Sequence, residues 1–391
     1  MTLFALVRSG AMASLTQRPA LVLAISTLAG ILYRYTGLPM SDAGVVKLIA
    51  EACLALLVFS AALHFRISRL HLNSPAALRL AVIAGPFFMV IVALSVFVLS
   101  PSVTVWSALV IGAALMLNGA SLERRVFRES SISKRIKASI TLESAAALVV
   151  GLPIAVMIET AAMTPHLTSG DIVETGIFRT AIGFAIGGAI GLLGGRGYKW
   201  LVNRKSPLAK PGVTITAGLL AFCLASLLGG SAIIAVCAAG LMWSEESSLK
   251  RSERFVLHSG YEQIAKPLAF VLFGFVLGPR LLQADALVIL FALFAVTLLR
   301  IVPRLIALKS LKLATEEEHF LAWFGGAPGA ASALFLLCLI DSPALADQEI
   351  VMTIGATCVW TGVFITRASS RSLASFFIQR AAAARRKRYY A

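Results

Sequence analysis

The amino-acid sequence predicts an all-α membrane protein that crosses the bilayer about twelve times. Of its 391 residues, 58% are apolar and 14% are charged, whereas a soluble domain carries about 25% charged residues. The apolar residues form long uncharged stretches, such as residues 80–99 and 286–299. A stretch of about 20 residues matches the thickness of the hydrocarbon core at about 1.5 Å of helix rise per residue. A soluble amphipathic helix would show one polar face, and these stretches do not.

Twelve apolar segments, separated by polar or charged connections, are the predicted spans. Their approximate cores are residues 19–34, 45–64, 79–100, 103–121, 138–160, 177–195, 212–228, 230–243, 264–280, 287–303, 319–340 and 349–366.

The positions of the charged residues predict which end of each span faces the cytoplasm. Most of the 35 Lys and Arg residues lie in the N-terminal segment, in the connection after every second span, and in the C-terminal tail. The connections on the other side hold little basic charge beyond Arg34 and Arg280. This is the pattern of the positive-inside rule, and a miscounted span would invert every later connection. The sequence therefore predicts a multi-pass protein of the plasma membrane, such as a bacterial inner membrane, with both termini in the cytoplasm.

Neither the net charge of +16 nor the five cysteines indicates a further ligand. The basic residues lie in short connections, which argues against a nucleic-acid partner. The cysteines lie within apolar segments and lack metal-ligand spacing, so we expect no metal and no cofactor. We expect one transmembrane domain, residues 1–391, that ends in a short basic cytoplasmic tail, residues 367–391. Attraction to anionic lipid headgroups, worth about 1 kcal/mol per basic residue, explains the charge of this tail.

Two spans contain helix-weakening residues away from their ends. Asn118-Gly119 lies in the fourth span, and the sequence Gly-Gly-Ala-Pro-Gly, residues 325–329, lies in the eleventh. Backbone groups freed there must be satisfied by protein or by a water-filled cavity. Transporters place such breaks at corresponding positions of an inverted repeat, at the substrate site. The alternative interpretation is that these residues only allow close packing or a kink.

Glu143 in the fifth span and Arg300 in the tenth are ionisable residues that are difficult to place in hydrocarbon. Both lie toward the cytoplasmic ends of their spans, at similar depth. We therefore expect an ion pair between them, chiefly structural in role. Glu262 and Lys266, which are four residues apart near a membrane interface, can pair along one helix face.

Four short stretches follow one another in the order found in a known family. Residues 48–59 (LIAEACLALLVF) are similar to the family's AELGLALLLF, and residues 227–240 (LLGGSAIIAVCAAG) to LGGSGFLAVFVAGL. Residues 261–274 contain Tyr-Glu and Phe-Val-Leu-Phe-Gly, similar to WE…FVLLG, and residues 323–332 (WFGGAPGAAS) are similar to GWGGLRGAVS. The chain thus resembles the monovalent cation/proton antiporter superfamily, in particular its sodium/proton exchanger branch.

The resemblance implies a sodium/proton-antiporter-like inverted repeat with broken helices 4 and 11. Two inverted units, spans 3–5 and 10–12, would form a core that rocks against the other helices. The resemblance also implies a homodimer, and protons and monovalent cations as the transported ions.

The sequence departs from the family at the expected site. The family's Thr-Asp-Pro break falls on residues 118–120, and its Glu-Ser-Leu-Leu-Asn-Asp falls on residues 143–148. The Asn-Asp pair, which includes the carboxylate that carries the cation and the proton, is replaced by Ala147-Leu148. The arginine of helix 11 is replaced by Pro328.

The ion or substrate site implied by the resemblance therefore consists of Asn118, Glu143 and Ser144, with exposed backbone at Gly119 and Gly326. A cation at mid-membrane needs a counter-charge, and competition with protons needs a titratable group. Glu143 is the remaining candidate for proton coupling, provided that its partner arginine releases it.

Two functions remain open. The first is secondary active transport by alternating access, with altered ion coupling. The second is a transport-inactive protein of the same fold that acts as a scaffold, sensor or subunit, which the missing charges favour. We do not expect an enzyme, because the five histidines lie at span ends or in connections without a catalytic or metal-binding motif.

Overall fold

The computed structural model describes residues 18–36, 42–65, 75–118, 134–163, 169–203, 209–247, 251–311, 315–340 and 347–389, with positions 313, 342 and 345. This part of the chain is nearly all helical, and every predicted span contains helix. The helices are α1 (Pro19–Tyr35), α2 (Ala43–Ala62), α3 (Pro75–Leu99), α4 (Val105–Met116), α5 (Lys134–Met163), α6 (Ser169–Asn203), α7 (Ala209–Leu227), α8 (Ala232–Glu246), α9 (Arg251–Leu277), α10 (Ala286–Leu308), α11 (Thr315–Phe324), α12 (Ala330–Cys338) and α13 (Gln348–Tyr389).

Seven of these helices are long and apolar enough to cross a membrane on their own. They are α2, α3, α5, α6, α9 with the 3₁₀ turn Gly278–Gln283 that follows it, α10, and the first half of α13. Helices α1, α4 and α7 are shorter and apolar. The predicted all-α polytopic fold is confirmed, and the number of twelve crossings stays a prediction.

Helices α3 and α10 each contain one π-helical turn. These turns are Leu80–Ala84 and Ala295–Leu299, and the second directly precedes Arg300. Such turns occur mostly as single insertions and often lie near functional sites. An inserted residue changes the face on which all later side chains of the helix lie.

Close packing between α6 and α8 depends on small residues at intervals of four. Gly183, Gly187 and Gly191 of α6 lie against the backbone of Ser231, which directly precedes α8, and of Ala235 and Ala239 within α8. A Cβ atom at any of the three glycines would overlap the facing carbonyl group. Small residues bring two helix backbones into contact in the same way across membrane protein interfaces.

The short helix α12 lies at the centre of the molecule. All nine of its residues are buried, and it packs against α2, α4, α9 and α13. Protein rather than lipid therefore surrounds this helix on every side. The break between α11 and α12, which directly precedes it, lies in the same buried region.

Helix α13 continues beyond the predicted span 349–366 and into the predicted basic tail, as far as Tyr389. Its continuation has a structural contact with the eleventh span, because the indole Nε1 of Trp323 donates a hydrogen bond to the Ser369 hydroxyl at 3.1 Å. The first residues of the predicted tail thus help to hold α11 in place.

Candidate ion-binding site

The end of α4 meets the break between α11 and α12 in the buried core. Asn118 follows α4 and forms an antiparallel backbone bridge with Pro328. The Ser332 hydroxyl, in the first turn of α12, donates a hydrogen bond to the carbonyl of Leu117. The two helix-weakening sequences of the fourth and eleventh spans thus come together at one point, which we call the crossing.

Glu143 of α5 lies beside the crossing and is held by two neighbours. Its carboxylate receives hydrogen bonds from Arg304 Nη1 at 2.5 Å and Nη2 at 2.8 Å. Asn118 Nδ2 donates a third, at 3.3 Å. Glu143 and Arg304 are 1% and 4% exposed. Bidentate arginine–carboxylate pairs are among the strongest polar contacts in proteins, so Glu143 is firmly held.

The prediction of an ion pair between Glu143 and Arg300 is wrong. The partner of Glu143 is Arg304, which lies one helical turn further along α10. Arg300 instead donates from Nη2 to the carbonyl of Trp323 at 2.9 Å, and its Nε and Nη1 have no hydrogen-bond partner in the described part of the chain. Arg304 lies four residues later on the same helix, about 6 Å along its axis. The depth in the membrane that a sequence predicts for a residue does not distinguish two arginines at that spacing.

Both arginines satisfy backbone groups at the end of α11. Arg304 donates from Nε to Ala322 at 3.0 Å and from Nη2 to Leu321 at 2.8 Å, and Arg300 donates to Trp323. The last carbonyls of a helix lack partners within the helix and carry partial negative charge. The two guanidinium groups therefore allow α11 to end at Phe324 inside an apolar core.

Gly325 and Gly326 leave the space that this arrangement needs. A Cβ atom on Gly325 would overlap the Arg304 guanidinium and the Glu143 carboxylate. Gly326 has a φ of +67°, and a Cβ atom there would overlap Arg304 as well. Gly326, expected to expose backbone to the ion, is thus packed against the ion pair.

A small cavity of about 10 Å³ lies next to the crossing. Its polar wall consists of Asn118, Ser144, Glu262 and Lys266. Its apolar wall consists of Leu57, Ala61, Ala145, Leu148, Ala330 and Ala331.

Asn118 and Ser144, two of the predicted site residues, are brought together in this cavity. Asn118 is 4% exposed. Its amide nitrogen donates to Glu143, and its Oδ1 has no hydrogen-bond partner among the described residues. The Ser144 hydroxyl donates to the carbonyl of Thr141 at 3.1 Å, which leaves its oxygen able to accept. Gly119 lies outside the described residues.

Glu262 and Lys266 were not predicted to be site residues. They form the expected pair along α9, with Lys266 Nζ 2.7 Å from Glu262 Oε1. Their side chains are half-buried, with exposures of 28% for Glu262 and 21% for Lys266, and both line the cavity. The available signal was that Glu262 is the glutamate of the Tyr-Glu motif. The spacing of four residues between Glu262 and Lys266 already explained both charges.

A helix end that meets a break in a second helix beside a polar cavity, within a polytopic helical protein, is an arrangement found in membrane transporters with broken helices. The chain belongs to the sodium/hydrogen exchanger family, because residues 3–367 match the family model described as "Sodium/hydrogen exchanger, transmembrane". This confirms the resemblance drawn from the four sequence stretches, and the family is one of transporters.

Solved structures of the sodium proton antiporter MjNhaP1 from Methanocaldococcus jannaschii have a similar fold. A structure at pH 8 matches with a TM-score of 0.67 at 15% identity, covering 94% of this chain and 99% of that chain. A 3D EM map of the same antiporter matches with a TM-score of 0.64 at 17% identity, covering 92% and 90%. At these identities the likeness shows the fold alone.

A curated relative is the Na(+)/H(+) antiporter ApNhaP from Aphanothece halophytica. It is 24% identical over 339 residues, which cover 81% of this chain and 62% of the relative. The chain therefore spans less than two thirds of the length of that protein.

Proposed function

We propose that the protein is a secondary active transporter that exchanges monovalent cations for protons by alternating access, with altered ion coupling. The observation that carries the proposal is the crossing of Asn118 and Pro328 beside a polar cavity, in a chain of the sodium/hydrogen exchanger family. Oxygen atoms within a closed helical core are the kind of ligand that a cation without its water shell requires.

The position of the cavity supports a rocking mechanism. One side of its wall comes from α4, α5 and α12, which belong to the predicted six-helix core. The other side comes from α2 and α9, which lie outside that core. A movement of the core against the other helices would open and close the cavity at this boundary, as alternating access around a fixed site requires.

Ion coupling in this proposal does not use Glu143 as the carrier. The Glu143 carboxylate receives three hydrogen bonds and pairs with the arginine that caps α11. Removal of one partner from a buried ion pair leaves an uncompensated charge, which costs roughly 3–5 kcal/mol. We therefore assign Glu143 and Arg304 a structural role.

The alternative is a transport-inactive protein of the same fold that serves as a scaffold, sensor or subunit. One observation favours it: the carboxylates described beside the crossing and in the cavity wall have basic partners, Glu143 with Arg304 and Glu262 with Lys266. The positions of the family's Asn-Asp pair, Ala147 and Leu148, are apolar.

We also propose a plasma-membrane protein with both termini in the cytoplasm, which forms a homodimer by family resemblance. The basic tail would then lie against the anionic inner leaflet, where electrostatic attraction extends over about 10 Å at moderate salt.

Flux through purified protein in liposomes tests the proposal. With liposomes whose lumen is more acidic than the outside and contains a pH dye, addition of sodium, lithium or potassium outside is expected to dissipate the gradient for at least one cation, because each cation that enters is exchanged for a proton that leaves. Protein-free liposomes and liposomes with an exchanging ionophore give the two limits. Dissipation no faster than in protein-free liposomes with all three cations would refute transport and favour the alternative.

A further inference from the structure

We propose that Glu262 supplies the negative charge of a monovalent-cation site, with Asn118 Oδ1 and Ser144 Oγ as neutral ligands, and that Lys266 occupies this carboxylate when the cation is absent. The inference names the ion site of the proposed transporter and so rests on that proposed function. Its test below has a binding readout that is independent of transport.

The cavity wall contains both a charged and a neutral ligand for a cation. Among the described residues, Glu262 is the one acidic side chain in the cavity wall. Asn118 presents to the same site a buried oxygen that has no hydrogen-bond partner among the described residues. Buried polar atoms generally bond to protein or to ordered water, so this oxygen is able to accept a further ligand. A cation between Asn118 Oδ1 and the Glu262 carboxylate would satisfy it.

The carboxylates of Glu143 and Glu262 are held by their basic partners in different ways. Glu143 is 1% exposed and is held by Arg304 in a bidentate pair. Glu262 is 28% exposed, and its carboxylate contacts the end of the Lys266 side chain at 2.7 Å through one of its oxygens. A lysine ammonium is a point charge on a flexible stem, so it moves away at lower cost than a bidentate arginine does. Glu262 can therefore exchange its partner, and Glu143 cannot do so as readily.

Lys266 explains how the negative charge of the Glu262 carboxylate is balanced when no cation is bound. A single charge in a largely apolar wall is unfavourable unless it is paired. Because Lys266 follows Glu262 by four residues on α9, its ammonium stays within reach at every stage. Cation binding then replaces one positive partner of Glu262 by another, and the lysine side chain turns toward the open side of the cavity.

The size of the cavity and the nature of its ligands select the class of ion. A volume of about 10 Å³ is close to the smallest that accommodates one water molecule. Carboxylate, amide and hydroxyl oxygens favour hard cations, and one carboxylate balances one positive charge. The site therefore fits sodium or lithium better than potassium, and monovalent ions better than divalent ones.

Thermal unfolding of the full chain in detergent at pH 8 measures binding directly. Sodium chloride and lithium chloride are expected to raise the midpoint of unfolding with saturating concentration dependence, relative to choline chloride at equal ionic strength, because a ligand that binds the native state stabilises it. Glu262→Gln is expected to weaken sodium binding at least about tenfold, the loss typical of a hydrogen bond to a charged group. The matched control is Glu349→Gln, since Glu349 is an exposed carboxylate that pairs with Arg280; it is expected to bind sodium as the wild type does.

Two further variants distinguish a lost site from a misfolded protein. Lys266→Met removes the competing ammonium and is expected to bind sodium more tightly than the wild type, a gain that misfolding does not produce. Leu148→Asp, combined with Glu262→Gln, places a carboxylate on another wall of the same cavity and is expected to restore part of the sodium response.

The outcomes separate this inference from the proposed function. Sodium binding by Glu262→Gln equal to that of the wild type, or weaker binding by Lys266→Met, would overturn the inference whatever the flux assay shows. Loss of binding in Glu262→Gln with tighter binding in Lys266→Met supports it. If both binding changes occur and liposomes still show no flux, the cation site is supported and transport is refuted.

Discussion

Arg304 and Glu143, which lie 161 positions apart in the sequence, form a bidentate ion pair in the core of the protein. The same guanidinium donates to the carbonyls of Leu321 and Ala322 at the end of α11. One side chain therefore joins α5, α10 and the break between α11 and α12. The ion pair acts as the support of the crossing, and this role leads to the first two predictions.

Glu143→Gln is expected to destabilise the protein, by roughly 3 kcal/mol or more, because it leaves the Arg304 charge buried without its counter-ion. The measurement is chemical or thermal unfolding in detergent, with Glu349→Gln as a surface control that leaves stability unchanged. A Glu143→Gln protein with wild-type stability and no transport would contradict the structural role and restore Glu143 as the carrier.

Arg304 is expected to couple to Glu143 more strongly than Arg300 does. In a double-mutant cycle of unfolding free energies, Glu143→Gln with Arg304→Met should give a coupling of about 2 kcal/mol, within the range for residues in direct contact. The same cycle with Arg300→Met should give well under 1 kcal/mol, since Arg300 bonds to Trp323 instead. Equal couplings would mean that the carboxylate is shared between the two arginines.

Gly326→Ala is expected to cost roughly 1–3 kcal/mol, from a left-handed backbone conformation and from overlap of the new Cβ with Arg304. The control is Gly197→Ala, because Gly197 is an exposed residue of α6 and no described atom lies within 4 Å of the place that its Cβ would take. That change is expected to leave stability unchanged or to raise it slightly, as alanine favours helix over glycine. Similar losses in the two variants would exclude the proposed packing at Gly326.

Much of this architecture could be predicted from local sequence. Apolar stretches of membrane length predict helices, and the sequences around Asn118 and at residues 325–329 predict interruptions, because proline and glycine act on the backbone where they stand. The position of Ser144 in the site followed from its spacing to Asn118 in the family resemblance. These inferences require no knowledge of which helices touch.

The features that escaped prediction depend on contacts between distant helices. The choice between Arg300 and Arg304 depends on the height of α10 relative to α5, because residues four apart lie on the same helix face, one turn from each other, and residue spacing does not reveal that height. Glu262 was interpreted as half of a local pair, since a partner four residues away already accounts for its charge. Only the packing of α9 against α2 and α12 brings it to the cavity beside α5.

Ser332→Ala tests the attachment of α12 to the end of α4. The Ser332 hydroxyl is the described donor to the carbonyl of Leu117, and both residues are fully buried. Its loss leaves a carbonyl without a partner in an apolar core, which costs about 1–3 kcal/mol. Because that carbonyl lies next to Asn118, the exchange rate in liposomes is expected to fall together with stability.

The matched control for that variant is Thr353→Ala on α13, where an exposed hydroxyl donates to the carbonyl of Glu349 within the same helix at 2.8 Å. This helical carbonyl keeps its backbone partner, so stability and exchange should both stay at wild-type values. If Ser332→Ala also behaves as the wild type in both measurements, the hydroxyl does not hold α12 against the end of α4. The crossing would then depend on the Asn118–Pro328 bridge and on the Glu143–Arg304 ion pair.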